Sequence, residues 1–320
     1  GAITGSGATT VLTVGALVGS VLTSMGIDET KRAAIIFMGA AMSAAAPPIN
    51  LWAMMAAAGA NMPYVGFGKP LLVLSLLGAL FSTYWLAGKA NKKLELQEAL
   101  SMLPEVPERQ NWFRVGFPFV LLLALILAGR IWFFNMPVLG LPLLFMLASL
   151  SVVILSPKPL PIWQIACSTV HSLLPLVGIM VVVGVLIQIM ALSGARGLLS
   201  LLIVTLPLGV LYATLFFILP ISEGALQYAV APLIGVPLIM LFNMKGMDPV
   251  IALSAMAVIW PIGDCLPPTA IVGRATVIEL EYKGKYYGEF LKTCLIPMAF
   301  VALIGTLFLI FSTNLSFLEG

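Results

Sequence analysis

The chain has 320 residues, of which 61% are hydrophobic and 9% charged, with a formal net charge of +3 and a mean hydropathy of +1.10. Soluble domains carry about 25% charged residues and disordered chains are poorer still in apolar groups, so both classes are excluded. The near balance of 16 Lys+Arg against 13 Asp+Glu, with no basic stripe, argues against nucleic acid as a partner.

What remains is an all-α, multi-pass integral membrane protein in a lipid bilayer. The three cysteines (Cys167, Cys265 and Cys294) lie in apolar runs without metal-ligand spacing, and His171 is the single histidine. Neither a disulfide framework nor a zinc site is suggested. The opening run Gly1–Gly7 has no basic region before it and begins inside a Gly/Ser/Thr-rich apolar stretch, so the sequence is expected to be part of a longer protein.

In chain order, the segment at 8–24 is short and rich in small residues for a span. A polar link, Asp28 to Arg32, leads into an apolar run at 33–60 that Pro47-Pro48 interrupts. A span is expected at 70–88, then a polar stretch at 89–114 with an amphipathic helix at 94–103 lying along the interface. Spans follow at 115–134 and 139–155, then a long apolar segment at 162–192. Two apolar arms at 198–219 and 225–242 flank Pro220–Gly224, a run at 249–279 is broken at Pro267-Pro268, and a last span covers 291–312. This divides the chain into 1–68 (first tip, arm and broken helix), 69–196 (scaffold helices), 197–290 (second hairpin and broken helix) and 291–320 (C-terminal span). Alternating sides at each span puts eleven basic residues in inside loops (Lys31, Arg32, Lys89, Lys92, Lys93, Arg109, Arg114, Lys158, Lys283, Lys285, Lys292). Lys69, Arg196 and Lys245 fall in outside loops, which is the bias of the positive-inside rule.

Two stretches share one grammar: a polar tip, an apolar arm, a link, and a helix broken at Pro-Pro. The first tip is Gly5-Ser6-Gly7-Ala8-Thr9-Thr10 with a break at Ser43–Asn50. The second is Pro220–Ala225 with a break at Gly263–Thr269. From Ser6 to Pro47 is 41 positions and from Ser222 to Pro267 is 45. With the two units entering from opposite sides, this predicts an inverted repeat with two re-entrant hairpins. A Pro-Pro pair removes two backbone donors, and unpaired carbonyls in lipid cost several kcal/mol each (roughly). Such a break persists where it lines a cavity or holds a ligand. Unwound carbonyls suit Na⁺, and half-helix N-termini suit anions.

These tips and breaks resemble the large membrane subunit of tripartite ATP-independent periplasmic (TRAP) transporters, and more broadly the elevator carriers of the ion-transporter superfamily. The resemblance runs over nearly the whole chain. It implies a Na⁺-coupled symporter that imports a small organic anion, usually a carboxylate, across a bacterial or archaeal cytoplasmic (inner) membrane. It also implies two partners, a periplasmic substrate-binding protein and a small membrane subunit. Ser6 and Gly7 match the family's first tip, Pro47 and Pro48 its first broken helix, Glu223 an acidic position in its second tip, and Pro267 and Pro268 its second Pro-Pro. Asp264 stands where the family is usually apolar. By repeat symmetry about 100 further residues should precede Gly1.

One Na⁺ is expected among Ser6, Gly7, Thr9, Ala46 and Pro47, and another among Ser222, Glu223, Gly224, Gly263, Asp264 and Pro267. The substrate is expected near Ser6, Asn50, Ser222, Thr269 and Arg274. Plainer readings stand beside these. Glu223 or Asp264 could serve an internal hydrogen bond or ion pair, the latter with Arg274. Asn50 and Thr269 could be N-caps, and Ser6, Thr9 and Thr10 helix-packing residues. Arg274 and Arg130 could snorkel to lipid phosphate, and His171 could be a packing residue. Trp52, Trp85, Trp112, Trp132, Trp163 and Trp260 read as interface anchors. Alternative functions are a stand-alone or H⁺-coupled carrier, and a non-transporting scaffold subunit. A single His and scattered Cys speak against an enzyme.

Overall fold

A computed structural model describes residues 1–88, 97, 111–131, 141–157, 159–195, 197–198, 201 and 205–319. Among them are helices and turns and no strands. The expected interfacial helix at 94–103 lies outside the described residues apart from Gln97, as do Arg196 and Trp132. The chain divides into two compact units, one formed by Gly1–Pro104 with Ile179–Gly320, the other by Glu105–Gly178. In the second, α5 (Trp112–Ile131) packs on α6 (Leu141–Leu155). The helix α7 (Ile162–Leu192) runs unbroken through the long apolar segment.

The first unit holds both Pro-Pro breaks. Ser6 caps α1 (Gly7–Ser24) by accepting from the Thr9 N–H at 3.3 Å. α2 (Glu29–Ala45) ends where Pro47 and Pro48 supply no donors, and α3 (Leu51–Gly59) restarts on its cap Asn50. α4 (Gly68–Ala87) follows. In the second half, α8 (Leu208–Leu226) leads into a 3-10 turn and a π turn, and then into α9 (Val236–Met244). Asp248 caps α10 (Pro249–Ile259) through the N–H groups of Val250 and Ile251, at 2.9 and 3.0 Å. A 3-10 segment, Trp260–Cys265, runs up to the break, then α11 (Ile271–Glu279) and α12 (Leu291–Ile310) follow. Among the described residues, four stretches are long and apolar enough to cross a bilayer: Gly7–Ser24, Gly68–Ala87, Leu208–Ala229 and Tyr286–Ile310. The exposed leucines 72, 76 and 80 stripe one face of α4, as a lipid-facing helix would.

The second tip is not at Pro220–Gly224. α8 continues through Pro220, Ser222, Glu223 and Gly224, and stops at Gln227, whose φ of +55° turns the chain. A proline removes one donor, and neighbouring groups in a packed membrane bundle compensate for it. Gly263 has no side chain, which lets the Pro220 carbonyl lie against it. The turn therefore falls four residues later than the sequence suggests, and the unequal spacing of tip to break disappears. A shift of 220 residues carries Ser6 and Gly7 onto Leu226 and Gln227, and Pro47-Pro48 onto Pro267-Pro268. It also carries Gly26 (φ +73°) onto Gly246 (φ +74°), Asp28 onto Asp248, and Asn61 (φ +55°) onto Glu281 (φ +50°). α3 and α11 have nine residues each.

The repeats also exchange contacts. A methyl on Gly7 would meet Val272 at 3.1 Å, one on Gly15 would meet Glu279 at 3.3 Å, and one on Gly19 would meet Leu280. α1 and α11 thus run in the same direction. The mirrored set pairs Tyr228 with Trp52 (ring centroids 4.8 Å apart), Gly235 with Ala56 and Val236 with Gly59. Contacts that recur with the partners swapped are what a two-fold axis generates. α1 and α2 form an antiparallel pair, with Gly7 facing Ala40 and Thr23 meeting Arg32. α2 therefore runs opposite to α11. The links gather at two ends. Thr30 meets Tyr282 at 3.0 Å, and the Lys283 N–H donates to Glu29 at 2.9 Å. At the other end, Gly66 lies beside Val250 and Glu319, and Thr313 donates to the Gly246 carbonyl.

Candidate functional site

Each tip is tied to its own break by one backbone bond. The Ile49 N–H, just past Pro47-Pro48, donates to the Ala2 carbonyl at 3.3 Å. The Thr269 N–H, just past Pro267-Pro268, donates to the Gly224 carbonyl at 3.2 Å. At the first break the Ala45 carbonyl, which Ile49 would serve in a continuous helix, instead accepts from Asn50 Nδ2 at 2.7 Å. The same amide donates to the Ala257 carbonyl at 3.3 Å, while Asn50 Oδ1 accepts the Ala53 N–H at 2.9 Å. Asn50 is fully buried. It stitches the first break to α10, the helix just before the second. At the same tip Ser6 Oγ also accepts from the Thr9 hydroxyl at 3.1 Å.

The second break has more side-chain chemistry. Thr269 Oγ1 donates to the Gly224 carbonyl at 2.7 Å and accepts from Gln227 Nε2 at 2.9 Å. Gln227 Nε2 also donates to Asp264 Oδ1 at 2.8 Å. Tyr286 holds the Cys265 carbonyl at 2.9 Å and Arg274 Nη2 holds the Pro268 carbonyl at 3.2 Å. A methyl on Gly224 would meet the Leu266 and Gly263 carbonyl oxygens at 3.1 and 3.2 Å. The glycines thus let α8 and the break touch backbone to backbone.

Between these parts sits Glu223. Its exposure is 0%, and among the described residues neither carboxylate oxygen has a hydrogen-bond partner. The Trp52 indole N–H is turned toward it without closing a hydrogen bond, and the Trp260 N–H is likewise buried and unpartnered. Asp264 lies close enough for the two carboxyl groups to interact electrostatically. The Tyr228 hydroxyl faces Ser6, so the two tips meet over the same ground. Such a cluster offers acceptors to a cation and the Trp52 indole donor to an anion or polar group.

The structure thus brings together Ser6, Thr9, Asn50, Glu223, Gly224, Gly263, Asp264 and Thr269 with their tips and breaks. Gly7 faces α11, and Ala46, Pro47 and Pro267 form the breaks themselves. Ser222 does not join them. Its hydroxyl donates to the Leu219 carbonyl at 2.8 Å inside α8, because the helix does not end where the sequence suggests. Arg274 is exposed and serves Pro268, so among the described residues the alternative ion pair with Glu223 or Asp264 is not formed, whereas Asp264 makes the alternative internal hydrogen bond, to Gln227. Asn50 is the N-cap of its half-helix, and Thr269 is not, since Ala270 intervenes with φ +48°. Trp52 and Trp260 are fully buried around the breaks and are not interface anchors, whereas Trp85, Trp112 and Trp163 are exposed. Their rings fill space left where small residues bring the repeats together: Trp260 packs on Gly235, and Trp52 on Tyr228. His171 is exposed on α7.

Gln227 and Tyr228 are the site residues that sequence reasoning missed. Gln227 is the one amide in the apolar run at 225–242, and the 220-residue register would have placed it opposite Gly7. An apolar cavity of about 330 Å³ is lined by Leu211, Leu215, Leu226, Leu233 and Met190. Neither protein-family models nor curated proteins give a match to this chain.

Proposed function

We propose that this chain is the large permease subunit of a TRAP-type system: a Na⁺-coupled symporter that imports a small organic anion, a carboxylate. The observation that carries the reading is Glu223, a carboxylate without a partner at the meeting point of two tips and two broken helices. An unpaired buried charge costs several kcal/mol (roughly), so this place favours a cation. The second ion takes Glu223 with Gly224, Gly263, Asp264 and Pro267. The first takes Ser6, Gly7, Thr9, Ala46 and Pro47. The anion lies between the tips, against Ser6 and the Trp52 indole donor. In this reading the hairpins and broken helices move as one body against scaffold helices, in an elevator cycle. A periplasmic binding protein delivers the substrate, and a small membrane subunit completes the scaffold.

The test is uptake of labelled carboxylates into proteoliposomes, with Na⁺ or choline outside and with or without binding protein. Uptake is expected to require Na⁺, and flux unchanged in choline would defeat the coupling. A second reading is favoured by the same carboxylate: Glu223 can be neutralised by a proton. In that case uptake follows a pH gradient in Na⁺-free buffer.

A further inference from the structure

The junction between the second break and α12 carries three sulfur atoms. Cys265 is the last residue before Leu266-Pro267-Pro268, and its Sγ lies 3.6 Å from Met298 Sδ. Cys294 and Met298 stand four residues apart on α12, hence on one face of that helix. Both cysteines are fully buried and Met298 is nearly so. Cys265 Sγ has one further contact, to the Ile262 carbonyl at 3.4 Å.

The repeat shows that packing does not demand sulfur here. The 220-residue shift carries Cys265, Cys294 and Met298 onto Ala45, Leu74 and Gly78. The twin junction is filled by hydrocarbon and by the side chain of Met42, which reaches Gly78. One fold position is thus packed in two ways, and only the second gathers three soft donors.

We infer that Cys265, Cys294 and Met298 form a binding site for one soft monovalent metal ion, of the Cu(I) or Ag(I) kind. Thiolate and thioether ligands select such ions. Metal–sulfur bonds of about 2.3 Å, the length found in zinc thiolate sites, span the 3.6 Å between Cys265 Sγ and Met298 Sδ with little movement of either segment. Charge sets the valence. One cysteine releases its proton to the medium, and the thiolate and the monovalent ion form a neutral unit suited to an apolar interior, with the second thiol and the thioether as neutral ligands. No electron is transferred. Zinc is a poorer fit, since structural zinc takes four ligands and three sulfurs meet here. A bound ion would staple the last residue before the break to α12.

The test uses purified chain in detergent with exposed Cys167 replaced (Cys167→Ala), titrated with silver nitrate in chloride-free buffer. Bound silver is measured after gel filtration, and thermal unfolding is followed in parallel. One silver ion per chain is expected, with a rise in the unfolding midpoint. Met298→Leu keeps the volume and should weaken binding roughly tenfold, or about 1.4 kcal/mol. Cys294→Ser should remove stoichiometric binding, and its unbound unfolding midpoint reports whether it folds. The inference is overturned by no stoichiometric silver in the Cys167→Ala chain, or by unchanged affinity in folded Met298→Leu and Cys294→Ser.

Discussion

Two side chains at the breaks do opposite things with their polarity. Asn50 spends its amide on three backbone groups, whereas Glu223 spends its carboxylate on none. Asn50 is accordingly a stability residue. Asn50→Ala leaves the Ala45 and Ala257 carbonyls buried without that donor and removes a helix cap. A loss of about 1–3 kcal/mol is expected, read as a lower thermal unfolding midpoint in detergent. Glu223→Gln keeps the shape and removes the charge. If the carboxylate seats the coupling ion, uptake at saturating substrate should fall by roughly tenfold or more, equivalent to at least about 1.4 kcal/mol, with an unfolding midpoint no lower than the parent's. A variant that transports like the parent would remove Glu223 from the coupling site. Glu223 and Asp264 were legible in the sequence because acidic groups in apolar runs are costly and therefore conspicuous. The role of Asn50 was legible only as a choice between cap and ligand, since residue type alone does not say which carbonyls lie within reach. Trp52 and Trp260 were misread because an indole near a segment end looks the same in sequence whether it meets headgroups or fills a gap between two helices.

At the level of elements, both helix breaks were legible, since paired prolines leave no backbone donors to continue a helix. The second turn was not. Pro220 and Gly224 look like a tip, yet each sits inside α8 against the backbone of the break. What stops the helix is a left-handed residue, Gln227, which carries no turn signature. The better signal was the mismatch of 41 against 45 positions, which a single shift of 220 residues resolves. Two substitutions test this geometry. Gly263→Ala would drive a methyl into the Pro220 carbonyl, so it should destabilise the chain and disturb uptake together. Ala270→Gly goes the other way. Ala270 has φ +48°, a conformation that costs a residue with Cβ about 1–2 kcal/mol. The glycine variant should therefore unfold at a higher temperature, unless its greater backbone freedom in the unfolded state cancels the gain.

At the scale of the molecule, the two repeats are held together by contacts that cross between them. α1 lies along α11, and the turn after α8 lies along α3. Asn50 ties the first break to α10, and Tyr282 and Glu29 join the links at one end. Neither repeat closes its own site, because the half-helix after each break is covered by the arm of the other. The two sequence stretches of this unit, Gly1–Pro104 and Ile179–Gly320, should therefore stay together without a continuous chain between them. A protease site inserted after Pro104 tests this. After complete cleavage in mild detergent, the fragments are expected to elute as one species on gel filtration and to keep the parent's unfolding midpoint within a few degrees. Association is expected to weaken when Gly15→Leu and Gly235→Leu block both crossing contacts at once, since bulk added to a packed interface costs about 1–3 kcal/mol at each position. Fragments that separate on cleavage would mean that each repeat packs chiefly upon itself. The shared site between the tips would then lose its structural basis.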